Sequence, residues 1–314
     1  MLERLERMPL PLVPTMVGAL TLSNVYGGMG YTAVRHMTMI AATIIMILYI
    51  IKIIKYPSVV KAEYSQVVPQ SLYAAFFMAF MILGSYYYEF NQTLGLIVWG
   101  AATIGDAIHV TWFFVKNGFL KRNINTTLPS WFVTSNGILV SCVVGSGFGF
   151  NGILKYIVIW GILIYLILIP IMIYRCNKYE VPDGVYHTMA IALAPCSLDV
   201  VGLLNVFPNP NVYLLSFLYL CVLATTIFII VKLPKFFRYE FAPSFAGITF
   251  PLAIGIVASN KMSAYLINVV GNETLGGLVK QVAGIQLYLT SLTVGFVLVN
   301  FIIMALGLER KKIG

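Results

Sequence analysis

The first candidates for chemistry are the ionisable side chains that lie inside apolar stretches of the sequence. Asp106 and His109 stand three residues apart, so on a helix they share a face and could pair with each other. Asp199 follows Pro195 by one helical turn, on the face where the carbonyl of Ile191 loses its helical partner. Ionisable groups in apolar surroundings are costly and are functional candidates by default. The alternatives are a polar contact between helices for Asp106 and His109, and a carboxyl that stays neutral for Asp199.

A second candidate is Phe250, which stands among small residues in the stretch FAPSFAGITFPLAIGIVAS, residues 241–259. On a helix, the neighbours of Phe250 three or four positions away are Ala246, Gly247, Ala253 and Ile254, and all of these except Ile254 are small. The next residue, Pro251, has no N–H, so it frees a backbone carbonyl one turn earlier and favours a bend. The Phe250 ring therefore either fills a gap between helices or blocks a passage lined by small residues.

The sequence offers no set of side chains for enzymatic catalysis or metal binding. A catalytic site needs a nucleophile, a base or metal ligands close together, whereas the histidines are scattered among different stretches: His36, His109 and His187. The 4 cysteines show no CxxC spacing, and a buried thiol is usually a small apolar side chain. We therefore expect no enzyme activity, no cofactor, no metal and no disulfide.

The composition places these residues in a membrane protein. Of the 314 residues, 60% are hydrophobic and 10% are charged, and the mean hydropathy is +0.89. A water-soluble domain could not bury so much apolar surface.

Ten apolar stretches have about the length that a helix needs to cross a bilayer core, roughly 20 residues. They are residues 9–25, 36–54, 68–88, 93–115, 128–147, 153–174, 187–206, 211–231, 242–260 and 283–307. The connections between them are short. We therefore expect an all-α integral membrane protein with a single transmembrane domain, residues 1–314, built of five helical hairpins.

The basic residues predict the orientation, because Lys and Arg accumulate in cytoplasmic loops. All but four of the 20 Lys and Arg residues fall on one side if both termini share it. The exceptions are Arg35, Lys155, Lys261 and Lys280. This pattern predicts cytoplasmic termini. It also accounts for the net charge of +9 without a nucleic-acid partner, since the charges are spread over separate loops.

Odd and even stretches differ in composition. Residues 155–174 of the sixth stretch are almost all large and apolar, whereas the first, fifth and ninth stretches are rich in small residues and proline. Small residues allow close helix contact, and broken backbone is tolerated where it faces protein or a watery cavity. We therefore predict an inner ring of odd helices around a pore and an outer ring of even helices facing lipid.

Three segments resemble one known family. The S-F-x-G-x-T-F-P core of the ninth stretch, LPSWFVTSNGILVSC and HTMAIALAPCSLDVVG are similar to the tellurite-resistance/dicarboxylate transporter family, which includes bacterial tellurite-resistance proteins, yeast malate and sulfite permeases and plant slow anion channels. The resemblance covers essentially the whole chain. It implies ten helices in five hairpins around a central pore, and a homotrimer in the plasma membrane. The family places a pore-blocking phenylalanine at the aromatic of this core, which here is Phe250.

The resemblance also implies a function, which is membrane transport of anions through the pore that Phe250 occludes. The solute would be a C4-dicarboxylate of the malate type or a small inorganic anion. The alternative is an efflux carrier for sulfite, tellurite-related oxyanions or other toxic compounds. On this interpretation basic residues at the cytoplasmic mouth concentrate anions, and a proton on Asp199 would assist a proton-coupled passage. The residues expected to line or bend the pore wall are Ala246, Gly247, Pro251, Ala253 and Pro195.

One departure from the family concerns the first stretch. It lacks the glycine-rich pattern of many relatives after its Pro-Leu-Pro, and only Gly18 remains nearby. The sequence therefore leaves the pore width at that helix open.

Overall fold

The computed structural model describes residues 5–121 and 123–306, and every regular element within these ranges is a helix. The α-helices are α1 (Leu12–Gly28), α2 (Thr32–Lys55), α3 (Pro57–Ser65), α4 (Val67–Leu72), α5 (Ala74–Tyr88), α6 (Gln92–Phe113), α7 (Trp131–Gly137), α8 (Val140–Gly145), α9 (Asn151–Lys178), α10 (Leu193–Val206), α11 (Val212–Phe236), α12 (Ala246–Asn268) and α13 (Glu273–Leu306). Some basic residues used in the orientation argument lie outside the described ranges: Arg4, Arg122, Arg310, Lys311 and Lys312.

Nine helical stretches within the described ranges are long and apolar enough to cross a membrane. They correspond to the second through tenth predicted stretches. The first, α1, has 17 residues, which gives a length of about 26 Å at about 1.5 Å per residue, slightly less than a hydrocarbon core of about 30 Å. The all-α membrane class is confirmed, while the count of ten crossings stays a prediction.

The helices extend beyond several predicted boundaries. α12 runs to Asn268 instead of ending at 260, and α13 begins at Glu273 instead of 283. The apolar pattern stops earlier than the helix because Lys261 and Lys280 are charged. A helix can project beyond the apolar core without a break in its hydrogen bonding, so hydropathy marks the core and not the helix end.

Burial separates the predicted odd and even stretches. In the most apolar part of the third, fifth, seventh and ninth stretches 61–78% of the residues are buried, against 28–33% in the even stretches. In α1 an unbroken run from Val13 to Ser23 is buried. The even helices leave most of their side chains uncovered, as expected of helices that face lipid.

The odd stretches contact one another in chain order. α1 packs against α5, α5 against α7 and α8, these against α10, α10 against α12, and α12 against α1. The helices of the even stretches, α2, α6, α9, α11 and α13, are not needed to complete this circuit. We call the helices of the odd stretches the inner helices and those of the even stretches the outer helices below.

Both ends of the described chain lie at the same end of the bundle. The Nζ of Lys52, near the end of α2, donates to the carbonyl of Met8 at 2.8 Å. The ring of Phe301, near the end of α13, lies 5.5 Å from that of Phe241, which precedes α12. The first turns of α1 and α12 lie side by side, since Oγ1 of Thr249 is 3.5 Å from the carbonyl oxygen of Pro14. We call this the terminal end and the opposite one, which holds the turn between α1 and α2, the far end.

Candidate functional site: two cavities separated by Phe250

Two cavities approach each other at Phe250, whose side chain borders both. The larger one, here the wide vestibule, has a volume of about 750 Å³ and reaches the exposed residues Gly28 and Met29 at the far end. The smaller one, here the narrow cleft, has a volume of about 30 Å³ and lies toward the terminal end. Phe250 itself is only 7% exposed. The ring therefore borders both a wide cavity and a narrow one.

The narrow cleft is enclosed by all the inner helices. Its wall includes Val17 of α1, Met78 of α5, Phe132 of α7, Leu198 of α10 and Gly247 of α12. The described residues that line it include no charged side chain. Its volume is close to the space of a single water molecule in the liquid, about 30 Å³. A hydrated anion does not fit into the narrow cleft in this conformation.

The wide vestibule has apolar walls and a polar mouth. One strip of α12 lines it at helical spacing: Phe250, Ile254, Val257, Lys261 and Ala264. α13 lines it in the same way with Lys280, Ala283, Gly284 and Leu287. Asn24 of α1 and Asn260 of α12 add amide groups.

Close packing between α1 and α12 holds Phe250 in place. A Cβ added to Gly18 of α1 would lie 2.7 Å from the Cβ of Thr249 and 2.8 Å from the backbone nitrogen of Phe250. Carbon atoms do not approach other atoms so closely, so only glycine fits at this crossing. The hydroxyl of Thr249 donates to the carbonyl of Ala246 at 2.8 Å, which satisfies it within its own helix. Gly18 therefore sets how near α1 comes to the helix that carries Phe250.

The predicted wall residues fall into two groups. Ala246, Gly247 and Pro251 line the narrow cleft. Ala253 is fully buried and packs in a cluster with residues of α1 and α13, so it faces the helix contacts and not a cavity. Pro195 is also buried within α10 and is absent from both cavity walls, whereas its neighbour Ala194 lines the narrow cleft.

Asp199 lies behind the cavity wall. It is fully buried, and neither carboxylate oxygen has a hydrogen-bond partner within the described part of the chain. A Cβ added to Gly161 of the outer helix α9 would lie 2.7 Å from its Oδ1. The side chain therefore points toward an outer helix, and Asp199 lines neither cavity.

Asp106 and His109 do not pair. The Nδ1 of His109 lies 2.7 Å from the hydroxyl of Tyr64 in α3, while both oxygens of Asp106 lack a hydrogen-bond partner among the described residues. Burial raises the pKa of Tyr64, so its hydroxyl stays protonated and can donate to the imidazole. His109 thus ties an outer helix to its neighbour, which is the structural alternative for this residue.

Two cations of the wide vestibule lie where the sequence predicts a connection between helices. The apolar stretches place Lys261 and Lys280 in that connection, whereas the structure places both on helices facing the cavity. The basic residues predicted to concentrate anions belong to the cytoplasmic mouth, whereas these two lie toward the far end. The available signal was helical spacing, because Lys261 continues the strip of Phe250, Ile254 and Val257.

Comparison with known protein families decides the family of this chain. A model of the voltage-dependent anion channels matches residues 26–305. The chain belongs to the voltage-dependent anion channel family. The family predicted from the three sequence segments is thereby confirmed. Membership indicates a membrane protein for anion transport rather than an enzyme.

A curated relative agrees with this assignment. An uncharacterized transporter of Methanocaldococcus jannaschii is 24% identical over 248 residues, which is 69% of this chain and 71% of the relative. The similarity thus extends over most of both chains.

Proposed function

We propose that the protein conducts anions along an axis enclosed by its inner helices and that Phe250 is the gate. The observation that carries this proposal is the position of Phe250, which borders both the wide vestibule and the narrow cleft. Movement of this one side chain would join the two cavities. Removing the ring would have the same effect without a gating signal.

The Phe250 ring closes the constriction in two ways, because it fills the space and excludes water. A hydrophobic ring in a constriction with apolar walls disfavours a continuous column of water, and an anion cannot cross without its hydration. When the ring swings aside, the anion passes between small residues such as Ala246 and Gly247. The cleft holds no fixed charge among its described lining residues, and weak binding of this kind suits rapid passage.

The solute in this proposal is a C4-dicarboxylate such as malate or a small inorganic anion, as the family resemblance implies. The same resemblance supports a homotrimer in the plasma membrane. The distribution of basic residues supports cytoplasmic termini, which would make the wide vestibule the extracellular mouth.

The test is electrical. Purified protein in planar bilayers is compared as wild type and Phe250→Ala in chloride, nitrate and malate. We expect the alanine variant to raise the anion current by about tenfold or more, which corresponds to a barrier lowered by about 1.4 kcal/mol.

Leu252→Ala is the matched control. Leu252 is a buried residue of the same helix, 1% exposed, and lines neither cavity. Its truncation lowers stability in a similar way but leaves the path closed. Equal currents in wild type and Phe250→Ala would overturn the gate. Uptake or export of malate or sulfite without any current would indicate the carrier alternative.

A further inference from the structure

The wide vestibule concentrates positive charge in a cavity that reaches the exposed surface. Lys261 and Lys280 both line it, and the described residues of its wall include no Asp or Glu. Its volume of about 750 Å³ leaves room for a hydrated polyatomic anion, in contrast to the narrow cleft. An anion that enters the cavity therefore meets two cations without an opposing carboxylate on the wall.

Hydrogen bonds hold the mouth ready for a ligand. The Nζ of Lys280 donates to Oδ1 of Asn260 at 2.8 Å, which fixes the ammonium group and leaves its other N–H groups available. Oδ1 of Asn24 accepts from Nε of Arg35 at 2.8 Å, so the amide nitrogen of Asn24 is available to donate. Lys261 forms no salt bridge with any residue that the structure describes.

Other cations of the far end do not take part in this site. The guanidinium of Arg35 is paired with the carboxylate of Glu89, with Nη1 2.9 Å from Oε2, so its charge is already compensated. Lys155 lies near the ring of Phe207, with its Nζ 6.0 Å from the ring centroid, and is absent from the vestibule wall. Among the residues that the structure describes, the two lysines of the last hairpin are therefore the cations that line this cavity without a carboxylate partner.

The lysines are remote from the gate. Lys261 follows Phe250 by eleven residues on α12, which is about 16 Å along the helix axis. They can bind an anion at the mouth without touching the constriction. Capture and gating are then separate events.

We propose that the wide vestibule is an anion-capture site in which Lys261 and Lys280 bind small anions with two negative charges in preference to singly charged anions of similar size. It rests on the proposed function, because capture serves transport only if Phe250 opens. The preference follows from electrostatics: attraction to a fixed cation is proportional to the charge of the anion. If one lysine at about 7 Å in a watery cavity strengthens binding of a monoanion about threefold, it strengthens binding of a dianion about tenfold.

A binding experiment tests this proposal without any need for transport. The purified protein in detergent is titrated with succinate, at a pH where both carboxylates are ionised, and with butyrate, which has the same number of carbons and one charge. Dissociation constants follow from calorimetry and from thermal stabilisation. Ionic strength is held constant with a bulky buffer anion, since salt screens these charges. The variants are Lys261→Gln, Lys280→Gln and, as a matched control, Lys155→Gln.

We expect each vestibule variant to weaken succinate binding about tenfold and butyrate binding about threefold. We expect Lys155→Gln to change the affinity for neither anion and Lys261→Arg to retain the affinity for both. Both lysines are exposed, so their substitution leaves the fold intact, and unchanged thermal unfolding without ligand verifies this. Equal losses for the two anions, no loss, or the same loss in Lys155→Gln would each overturn the site.

Currents separate this proposal from the gate. In the Phe250→Ala background the lysine variants should raise the succinate concentration that gives half-maximal current, and the two effects should add in free energy because the groups are far apart. Lysine-dependent binding without any current in Phe250→Ala would reject the proposed gate and keep the capture site. Current that does not depend on the lysines would reject only the capture site.

Discussion

The two ends of the helix bundle use their charged groups in different ways. At the terminal end Lys52 is fully buried, and its Nζ donates to the carbonyl of Met8 at 2.8 Å and to Oε1 of Glu63 at 2.7 Å. The other oxygen of Glu63 accepts from the hydroxyl of Tyr73 at 2.6 Å. These bonds join the segment before α1 to α2, α3 and the start of α5.

The far end is bonded more loosely and is more open. Its ion pair, Arg35 with Glu89, has side chains that are 19% and 47% exposed, and such surface pairs contribute only about 0–1 kcal/mol. The wide vestibule opens there, and Lys261 and Lys280 face it. Buried charge at the terminal end thus holds helices together, whereas Lys261 and Lys280 at the far end are exposed on a cavity wall.

The ring contacts of His187 reinforce the closed character of the terminal end. Its Nδ1 lies 3.1 Å from the hydroxyl of Ser244, and its Nε2 lies 3.0 Å from the carbonyl of Phe236. The ring also lies 3.8 Å from that of Phe245. The 3₁₀ segment Asp183–Ala192 is thereby bonded to the end of α11 and to the segment before α12. These contacts lie at the terminal end, on the side of the narrow cleft.

The largest effect is expected on stability, when the buried ion pair of the terminal end is broken. Glu63→Gln leaves the buried ammonium of Lys52 without a counter-charge. We expect a loss of about 2–4 kcal/mol, somewhat below the range of about 3–5 kcal/mol for breaking a fully buried pair, because Glu63 is 24% exposed. Thermal and denaturant unfolding in detergent measure it.

The matched control at the far end is Glu89→Gln, for which we expect a loss below about 1 kcal/mol. The double variant Lys52→Met with Glu63→Gln should recover part of the stability, because it removes the unpaired charge. If Glu63→Gln and Glu89→Gln lowered the free energy of unfolding equally, the ion pairs at the two ends would not differ in their contribution to stability.

A smaller loss of stability is expected at the crossing of α1 and α12, which lies between the two ends of the bundle. Gly18→Ala places a methyl group against Thr249 and the backbone of Phe250. Overpacking of this kind costs about 1–3 kcal/mol and should shift the gate, seen as an altered current in planar bilayers.

Gly100→Ala is the control, because a Cβ on this outer helix meets nothing within 4 Å. Stability should there be unchanged or slightly higher, since alanine favours helix. Equal destabilisation by both substitutions would contradict the role of Gly18.

The smallest effect is expected for Asp199→Asn. The carboxyl faces Gly161 of α9 and lines neither cavity, so we expect malate uptake into liposomes with and without a pH gradient to match the wild type. A proton dependence that is present in the wild type and lost in Asp199→Asn would show instead that this residue couples transport to protons.

Much of the fold follows from local features of the sequence. Long apolar stretches must be helices in a bilayer, because no water is there to satisfy the backbone. The difference between small-residue and large-residue stretches predicts which helices are covered, and the burial of α1 and of the later odd stretches agrees with it. The position of Phe250 within a strip of small residues could also be recognised, since it depends only on spacing along one helix.

Other parts of the site depend on how the helices are rotated against each other. Ala253 and Ile254 are adjacent in the sequence, yet only Ile254 reaches the wide vestibule. Spacing along one helix could not tell which of its faces meets a cavity. Likewise Asp106 and His109 share a helical face, but Tyr64 of α3 takes the imidazole.

The membrane class, the alternation of covered and uncovered helices and the position of Phe250 among small residues can be predicted from the sequence, because composition and period act within one helix at a time. The proximity of Asp199 to an outer helix and the shared cavity of Lys261 and Lys280 arise from the tertiary structure. These are consequences of contacts between helices, such as that of Gly18 with Thr249. Close packing sets the rotation of each helix, and no single helix carries that information.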